Sequence, residues 1–259
     1  MTITVVSHNA FWMQGHPFEG DQPGGPVEAI VSGLADRYRG VRPDVLCLQE
    51  IQSAEAFGAI SAAMALPGSY TPGRELRQYG ACALSADARI LADSGSTPAP
   101  FTRAFQLIEA GAAGRGLRIA NVHLPSGRQI GAAEGAARRL AELEAILRLD
   151  PPPDVLCGDL NERPGGAVSD YLARQGFVDA AAITGNADRC TSIGGTRGDY
   201  IWLRRSIADR LRDYGVCPPA DFLADVPGKT FLSDHLPLWI SVEADESRSV
   251  TGSRDGGNR

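Results

Sequence analysis

Six short polar clusters interrupt the apolar pattern of this 259-residue chain. They are Ser7-His8-Asn9, Gln49-Glu50, Asn121-Val122-His123, Gly158-Asp159-Leu160-Asn161, Gly198-Asp199-Tyr200 and Ser233-Asp234-His235. Carboxylates grouped with amide oxygens suit a hard cation such as Mg²⁺ or Mn²⁺. No cysteine pair of the C-x-x-C type and no His-Glu-x-x-His occurs, which argues against zinc. A hard cation beside histidine and aspartate equips a site for attack on phosphorus. The cation offsets charge on the non-bridging oxygens, one acid orients or deprotonates water, and a histidine balances charge in the transition state. Three of the four histidines lie in these clusters. The fourth, His16, falls in a Gly/Pro-rich stretch and is expected to be solvated, in a loop that borders the cleft.

The clusters sit at the ends of runs that read as strands: Ile3 to Ser7, Val45 to Leu48, Ala81 to Leu84, Phe105 to Ile108, Leu117 to Val122, Val155 to Cys157, Tyr200 to Leu203 and Leu238 to Val242. Strand ends that meet at one rim give a rigid scaffold with free loops, a common place for a site. Val27, Ile30, Val31, Leu34 and Tyr38 form one helical stripe, and Ala136, Leu140, Leu143 and Leu147 another. A further helix is predicted from Ala54 to Met64. Gln14 to Pro26 must be loop, and Pro151–Pro153 ends the helix before it. Strands interleaved with helices, with no linker-like break, indicate one α/β or α+β domain over residues 1–243. The polar, aperiodic tail 244–259 is expected to be disordered.

Strand alternation turns His8 away from Asn9, toward packing. If strand geometry persists, Asp159 and Asn161, at i and i+2, point the same way; an Asx turn is the competing local reading. Arg103, Arg115 and Arg118 are expected on the solvent side of the strands. Pro43-Asp44-Val45-Leu46-Cys47 recurs letter for letter as Pro153-Asp154-Val155-Leu156-Cys157. Chance allows such a match. The alternative is two similar halves, each delivering a carboxylate, Glu50 or Asp159, to a shared cleft.

The formal charge of −6 and pI near 5.3 exclude a protein that coats nucleic acid through a general basic surface. They leave room for a local basic groove. Lys229 is the one lysine among 25 basic residues, and we read the arginine excess as coding bias. The five cysteines are odd in number and widely spaced, which fits a reduced, cytoplasmic compartment. The opening MTITVVSHNAF has neither a charged n-region nor a long apolar core, so no signal peptide is expected. No apolar run is long enough for a membrane span. A monomer is expected.

Read in order, HN, LQE, NVHL, GDLN, GDYIWL and SDHLPL resemble the motif series of the endonuclease/exonuclease/phosphatase superfamily. That group includes pancreatic-type deoxyribonucleases, class II apurinic endonucleases, neutral sphingomyelinases, poly(A) deadenylases and inositol-polyphosphate 5-phosphatases. The resemblance spans Ser7 to Leu238 and implies a four-layer α/β/β/α sandwich of the DNase I-like kind. It also implies roles. Glu50 would be the principal metal ligand, supported by Asn9 and Asp234. Asp159 would activate or orient water, and Asn161 would hold the phosphate. His235, oriented by Asp199, would sit against the scissile phosphate. His123 would contact phosphate or assist the leaving group. Gly80-Ala81-Cys82-Ala83-Leu84-Ser85 resembles a further family strand, but Ala86 stands where a basic residue is usual, which puts one electrostatic contact in doubt. Arg163 matches a pattern of the 5-phosphatases, whose companion Pro-x-Trp-x-Asp-Arg motif is missing.

The resemblance thus implies a phosphoesterase using Mg²⁺ or Mn²⁺ on either a nucleic acid phosphodiester (DNA or RNA) or a small phosphorylated metabolite. Sphingomyelin-type and inositol phosphate esters are alternative substrates. A non-catalytic nucleic-acid or phosphate-binding module on the same fold is the rival class; it would require loss of the acids, which are present. A G-x-S-x-G nucleophile elbow does not occur, which disfavours an unrelated α/β hydrolase.

Overall fold

The computed structural model describes residues 2–98, 101–111, 116–128 and 130–243. Along the chain run β1 (Thr2–Asn9), α1 (Glu28–Val41), β2 (Val45–Ile51), α2 (Ala54–Met64), β3 (Gly68–Thr71) and β4 (Gly80–Leu84). Next come β5 (Arg89–Asp93), β6 (Phe105–Ala110), β7 (Leu117–His123), α3 (Ala132–Leu147), β8 (Val155–Asp159) and α4 (Ala167–Arg174). The series ends with β9 (Phe177–Asp179), α5 (Ala180–Ile183), β10 (Asp199–Arg204), β11 (Leu211–Val216) and β12 (Leu238–Glu243).

Two mixed six-stranded sheets result, ordered β11-β12-β1-β2-β4-β3 and β5-β6-β7-β8-β10-β9. Each has a parallel central pair, β1 with β2 and β7 with β8, flanked by antiparallel neighbours. The sheets pack face to face. On one outer side α1 and α2 bury Ile30, Leu34, Tyr38 and Ile60 against the first sheet. On the other, α3 and α4 bury Leu143, Ile146, Val168 and Leu172 against Leu156 and Tyr200 of the second. This is the α/β/β/α sandwich that the motif series implied.

The eight strands read from the sequence are present, and four more exist among the described residues: β3, β5, β9 and β11. All four are sheet edges. An edge strand buries little and pairs on one side only, so its sequence need not be apolar or β-branched. Arg89–Asp93, for instance, has no fully buried residue. The α3 stripe is also corrected. Its buried face carries Arg139 and Glu142 beside Leu143 and Ile146, so two charged residues sit where only leucines and alanine were expected.

Cys47, Cys82 and Cys157 are buried and free. The Cys47 thiol lies against that of Cys157, and that contact together with burial pushes it well above the usual thiol range. Burial does the same to Cys82. Such thiols pack as small hydrophobes. No helix among the described residues is long and apolar enough to cross a membrane. The tail 244–259 and Arg115 lie outside the described residues.

Candidate active site

Both parallel pairs point their C-terminal ends at one rim. Asn9 of β1 pairs with Gln49 of β2, and His123 of β7 pairs with Asp159 of β8. Asp199 opens β10 opposite Asp159. The Asp234–His235 segment is fastened to the same rim. Ser233 donates its hydroxyl to the Asn9 carbonyl at 2.8 Å, and Ile193 N donates to Asp234 O at 3.0 Å.

Local backbone decides where the acids point. Glu50 has φ 54 and sits where the register against β4 shifts between Gln49 and Ile51. A bulge of this kind re-aims a side chain, and a non-glycine residue in the left-handed region marks a site held by its surroundings. Gly158 solves a different problem. Its φ is 138, and a Cβ there would lie 1.8 Å from the Val122 carbonyl oxygen, so only glycine lets β8 pass β7 before Asp159. Beyond it the strand ends. Asn161 has φ 49 and donates its backbone N–H to Asp159 Oδ1 at 2.8 Å. That is the Asx turn, so the expectation of continued strand geometry is corrected. The turn and site membership coexist, because Asp159 Oδ2 remains on the rim.

Asn9 braces the acids of both sheets, donating Nδ2 to Glu50 Oε1 at 3.1 Å and to Asp159 Oδ2 at 3.2 Å. Its own oxygen accepts from Phe11 N at 3.0 Å. His123 Nε2 lies 3.4 Å from Asp159 Oδ2 and 3.8 Å from Glu50 Oε1. His235 Nδ1 is 2.8 Å from Asp199 Oδ2, which also accepts from the Thr191 hydroxyl at 2.7 Å. His235 Nε2 faces Asp159 Oδ2 at 4.0 Å and Asp234 Oδ1 at 3.9 Å. Asn161 donates Nδ2 to Leu124 O at 2.9 Å. All eight residues singled out from the sequence thus meet at this rim.

A family model described as Endonuclease/Exonuclease/phosphatase family matches residues 30–235. The chain belongs to this family. No curated protein sequence matches it significantly. Solved structures share the family fold at low identity. A truncated Caenorhabditis elegans TDP2 is 18% identical with a TM-score of 0.67, over 93% of this chain and 97% of that one. The human Nocturnin catalytic domain with bound sulfate anion is 19% identical at 0.65, over 94% of each chain. D. rerio TDP2 complexed with single strand DNA product is 16% identical at 0.64, over 93% and 99%.

Within this family member the rim groups are driven apart electrostatically. Burial raises Glu50 to about 7; Arg103 opposes the rise and Asp234 adds to it. Burial would also raise Asp159, but the positive charges on His235 and Arg103 outweigh it and hold the carboxyl well below the usual range. Burial alone would lower His235. The carboxylates of Asp199, Asp159 and Asp234 dominate, so the ring stays an imidazolium well above its ordinary range. His123 goes the other way, to about 4, through burial and then Arg103. The Arg103 guanidinium, which can only donate, meets His123 Nε2, so the neutral ring presents its lone pair there.

Glu50 Oε2, Asp199 Oδ1 and Asp234 Oδ1 are buried without a hydrogen-bond partner among the described residues. Unpaired buried carboxylate oxygens are costly, and a cation is the natural counter-charge. The donor set fits a hard divalent ion. Asp159, Asp199 and His235 also offer ligand atoms within 4.8 Å of one another. In that trio, however, the Asp199–His235 hydrogen bond is already made.

Arg103 was missed from the sequence and is corrected here. It is buried rather than solvent-facing, stacks 4.4 Å from the centre of the Tyr79 ring, and touches His123. It lies before β6, far in sequence from every motif. Thr102 N donates to Glu142 Oε1 at 2.8 Å, which ties the Arg103 loop to α3. His8 is buried as expected, between the Tyr38 hydroxyl at 2.6 Å and His235 O at 3.1 Å. Ser85 and Ala86 lie at the opposite end of β4, beside Ile3 and Asp44. The missing basic residue at Ala86 therefore removes nothing from the rim. His16 and exposed Arg163 line the cleft, His16 on both sides of the acids and Arg163 on one.

Proposed function

We propose that this family member is a divalent-metal phosphodiesterase, with Asp159 as the group that activates water. One observation carries the reading. Asp159, Asn161, Asp234 and His235 lie at the junction of two open lobes, of 580 and 530 Å³, and Glu50 lines the first beside them. Room on both sides of the reacting group suits a diester, with a substituent on each side of the phosphorus. The DNA product in the D. rerio TDP2 structure supports a nucleic acid or nucleotide substrate.

Glu50 and Asp234 would hold a Mg²⁺ or Mn²⁺ ion, which when bound supplies positive charge to the phosphate oxygens. Asn9 braces Glu50 and Asp159 through its side-chain amide. Asp159, ionised at neutral pH, accepts the proton of the attacking water. His235, charged and fixed by Asp199, donates from Nε2 to a phosphate oxygen, and Arg103 adds a second fixed positive charge. Asn161, whose side-chain NH2 donates one hydrogen to Leu124 O, has a second amide hydrogen to offer a phosphate oxygen. His123 is neutral and accepts from Arg103, so it positions that arginine rather than delivering a proton.

The test is hydrolysis of bis-p-nitrophenyl phosphate with added Mg²⁺ or Mn²⁺. Asp159→Asn and His235→Ala each lower the rate by about a hundredfold or more. Variants as fast as the parent would refute the mechanism. A panel of single-stranded and duplex nucleic acids, nucleotides, inositol phosphates and sphingomyelin then sorts substrates; cleavage of monoesters alone overturns the diester reading.

A further inference from the structure

Of the two lobes that share the acid cluster, both lined by arginines and hydroxyls, only the first carries Phe, Trp or Tyr rings. The first is walled by Phe11, Trp12, Phe18 and Tyr79. The second is lined by Asn161, Arg163, Ser192, Thr196 and Gly198, and Ile193 is its one large apolar side chain. Arg128 borders both.

The aromatic wall is built in strained backbone. Phe11, Trp12 and Met13 have φ of 47, 52 and 54. Three successive non-glycine residues therefore occupy the left-handed region, which L-residues avoid because Cβ crowds the carbonyl. Ending β1 would not require this. What the turn achieves is display. Phe11 stacks on Trp12, with ring centres 5.4 Å apart and planes 26° from parallel. Trp12 Nε1 donates to Gln78 O at 3.0 Å, which fixes the indole. Phe18 stands edge-on to both rings, at 6.2 Å and 6.0 Å. Lys229 holds that loop, donating Nζ to Pro17 O at 2.7 Å beneath the Phe18 ring. Phe11 N donates to Asn9 Oδ1, so the residue that braces the catalytic acids also anchors the wall.

We propose that the aromatic lobe is a stacking subsite for the nucleobase on one side of the scissile phosphate, and that the second lobe, without Phe, Trp or Tyr rings, receives sugar and phosphate from the other. This rests on the phosphodiesterase reading. Flat heteroaromatic rings stack on aromatic side chains whatever their hydrogen-bonding edges; the second lobe offers no Phe, Trp or Tyr ring, while its arginines and hydroxyls suit phosphate oxygens. The enzyme would then demand a base on one side of the bond and tolerate its absence on the other.

Two isomeric dinucleotides test this, each with one base and one abasic sugar, the base on opposite sides of the phosphate. With Mg²⁺ present the parent should prefer one isomer by about tenfold in kcat/KM, the scale of one stacked base. Phe11→Ala and Phe18→Ala should erase the preference, and Phe18→Tyr should keep it. Equal turnover of the isomers, or a preference surviving both alanine changes, overturns the proposal. Calorimetry provides an arm that needs no turnover. AMP should bind about tenfold tighter than ribose 5-phosphate, and the difference should vanish in Phe18→Ala. Base-selective binding by a parent that cleaves no diester would sink the phosphodiesterase reading and leave the subsite standing. Diester cleavage without base selectivity would sink the subsite alone.

Discussion

The same five residues lead into strands β2 and β8, which end in opposite electrostatic states. At their starts they are built alike. Asp44 N donates to Thr4 O at 2.9 Å, and its Oδ2 accepts from Thr4 N at 2.7 Å. Asp154 N donates to Arg118 O at 2.8 Å, and its Oδ2 accepts from Arg118 N at 3.1 Å. Each aspartate thus closes the ladder to the neighbouring parallel strand, β1 or β7, and the two sheets share one strand order. The repeated segment is a registration device used twice. The exits diverge: β2 leaves through a bulge that aims Glu50 inward, and β8 leaves through Gly158 and an Asx turn. Glu50 is pushed up by burial, while Asp159 is held down by the positive charges of His235 and Arg103. Like strands can therefore deliver two carboxylates to one cleft for different work.

The sharpest way to break this comparison is to neutralise each acid in turn. Asp159→Asn should cut kcat by about a thousandfold and leave the Mg²⁺ concentration for half-maximal activity little changed. Glu50→Gln should instead raise that concentration at least tenfold. If the two variants responded alike in a Mg²⁺ titration, the division of labour would be wrong.

A smaller effect concerns the charge that offsets Glu50, which arrives from outside both strands on the loop held by Glu142. Burial raises the Glu142 carboxyl from 4.5 to about 7. Between those values the folded chain keeps a proton that the unfolded chain has lost. Stability is therefore full below this window and falls as pH rises through it, by about 3 kcal/mol. Glu142→Gln should remove that fall, measured as urea unfolding at pH 5 and pH 8. An unchanged pH dependence would show that the carboxyl is not buried as described.

The last contrast tests the registration device itself. Asp154 is buried and also pairs with the Arg118 guanidinium at 2.8 Å, whereas Asp44 is exposed. Asp154→Ala should cost about 3 kcal/mol and Asp44→Ala about 1 kcal/mol. Denaturant midpoints that moved equally would mean the two ladders are equivalent in energy as well as geometry.

Much of this was legible beforehand. The central strands announce themselves because they are buried on both faces and must be apolar, and the polar clusters stand out against them. Sheet edges were not legible, since β3, β5, β9 and β11 need no such pattern. Nor was Arg103, an arginine in an ordinary context whose burial depends on Tyr79, His123 and a loop tethered to α3. The Asx turn at Asp159 was visible as an option, but choosing it required knowing where β8 stops.

The sandwich class came from the resemblance of the motif series, while by itself the sequence determined the ordered polar clusters, a single α/β or α+β domain and the identity of the central strands. Short-range pattern encodes these, because burial and strand period act within a few residues. Only the tertiary structure decided which charges face one another, and hence which acid is held ionised and which is pushed up. It also decided that Phe11, Trp12, Phe18 and Tyr79 form one wall. Both depend on distances between segments far apart in the chain, and electrostatic and stacking energies are functions of those distances alone.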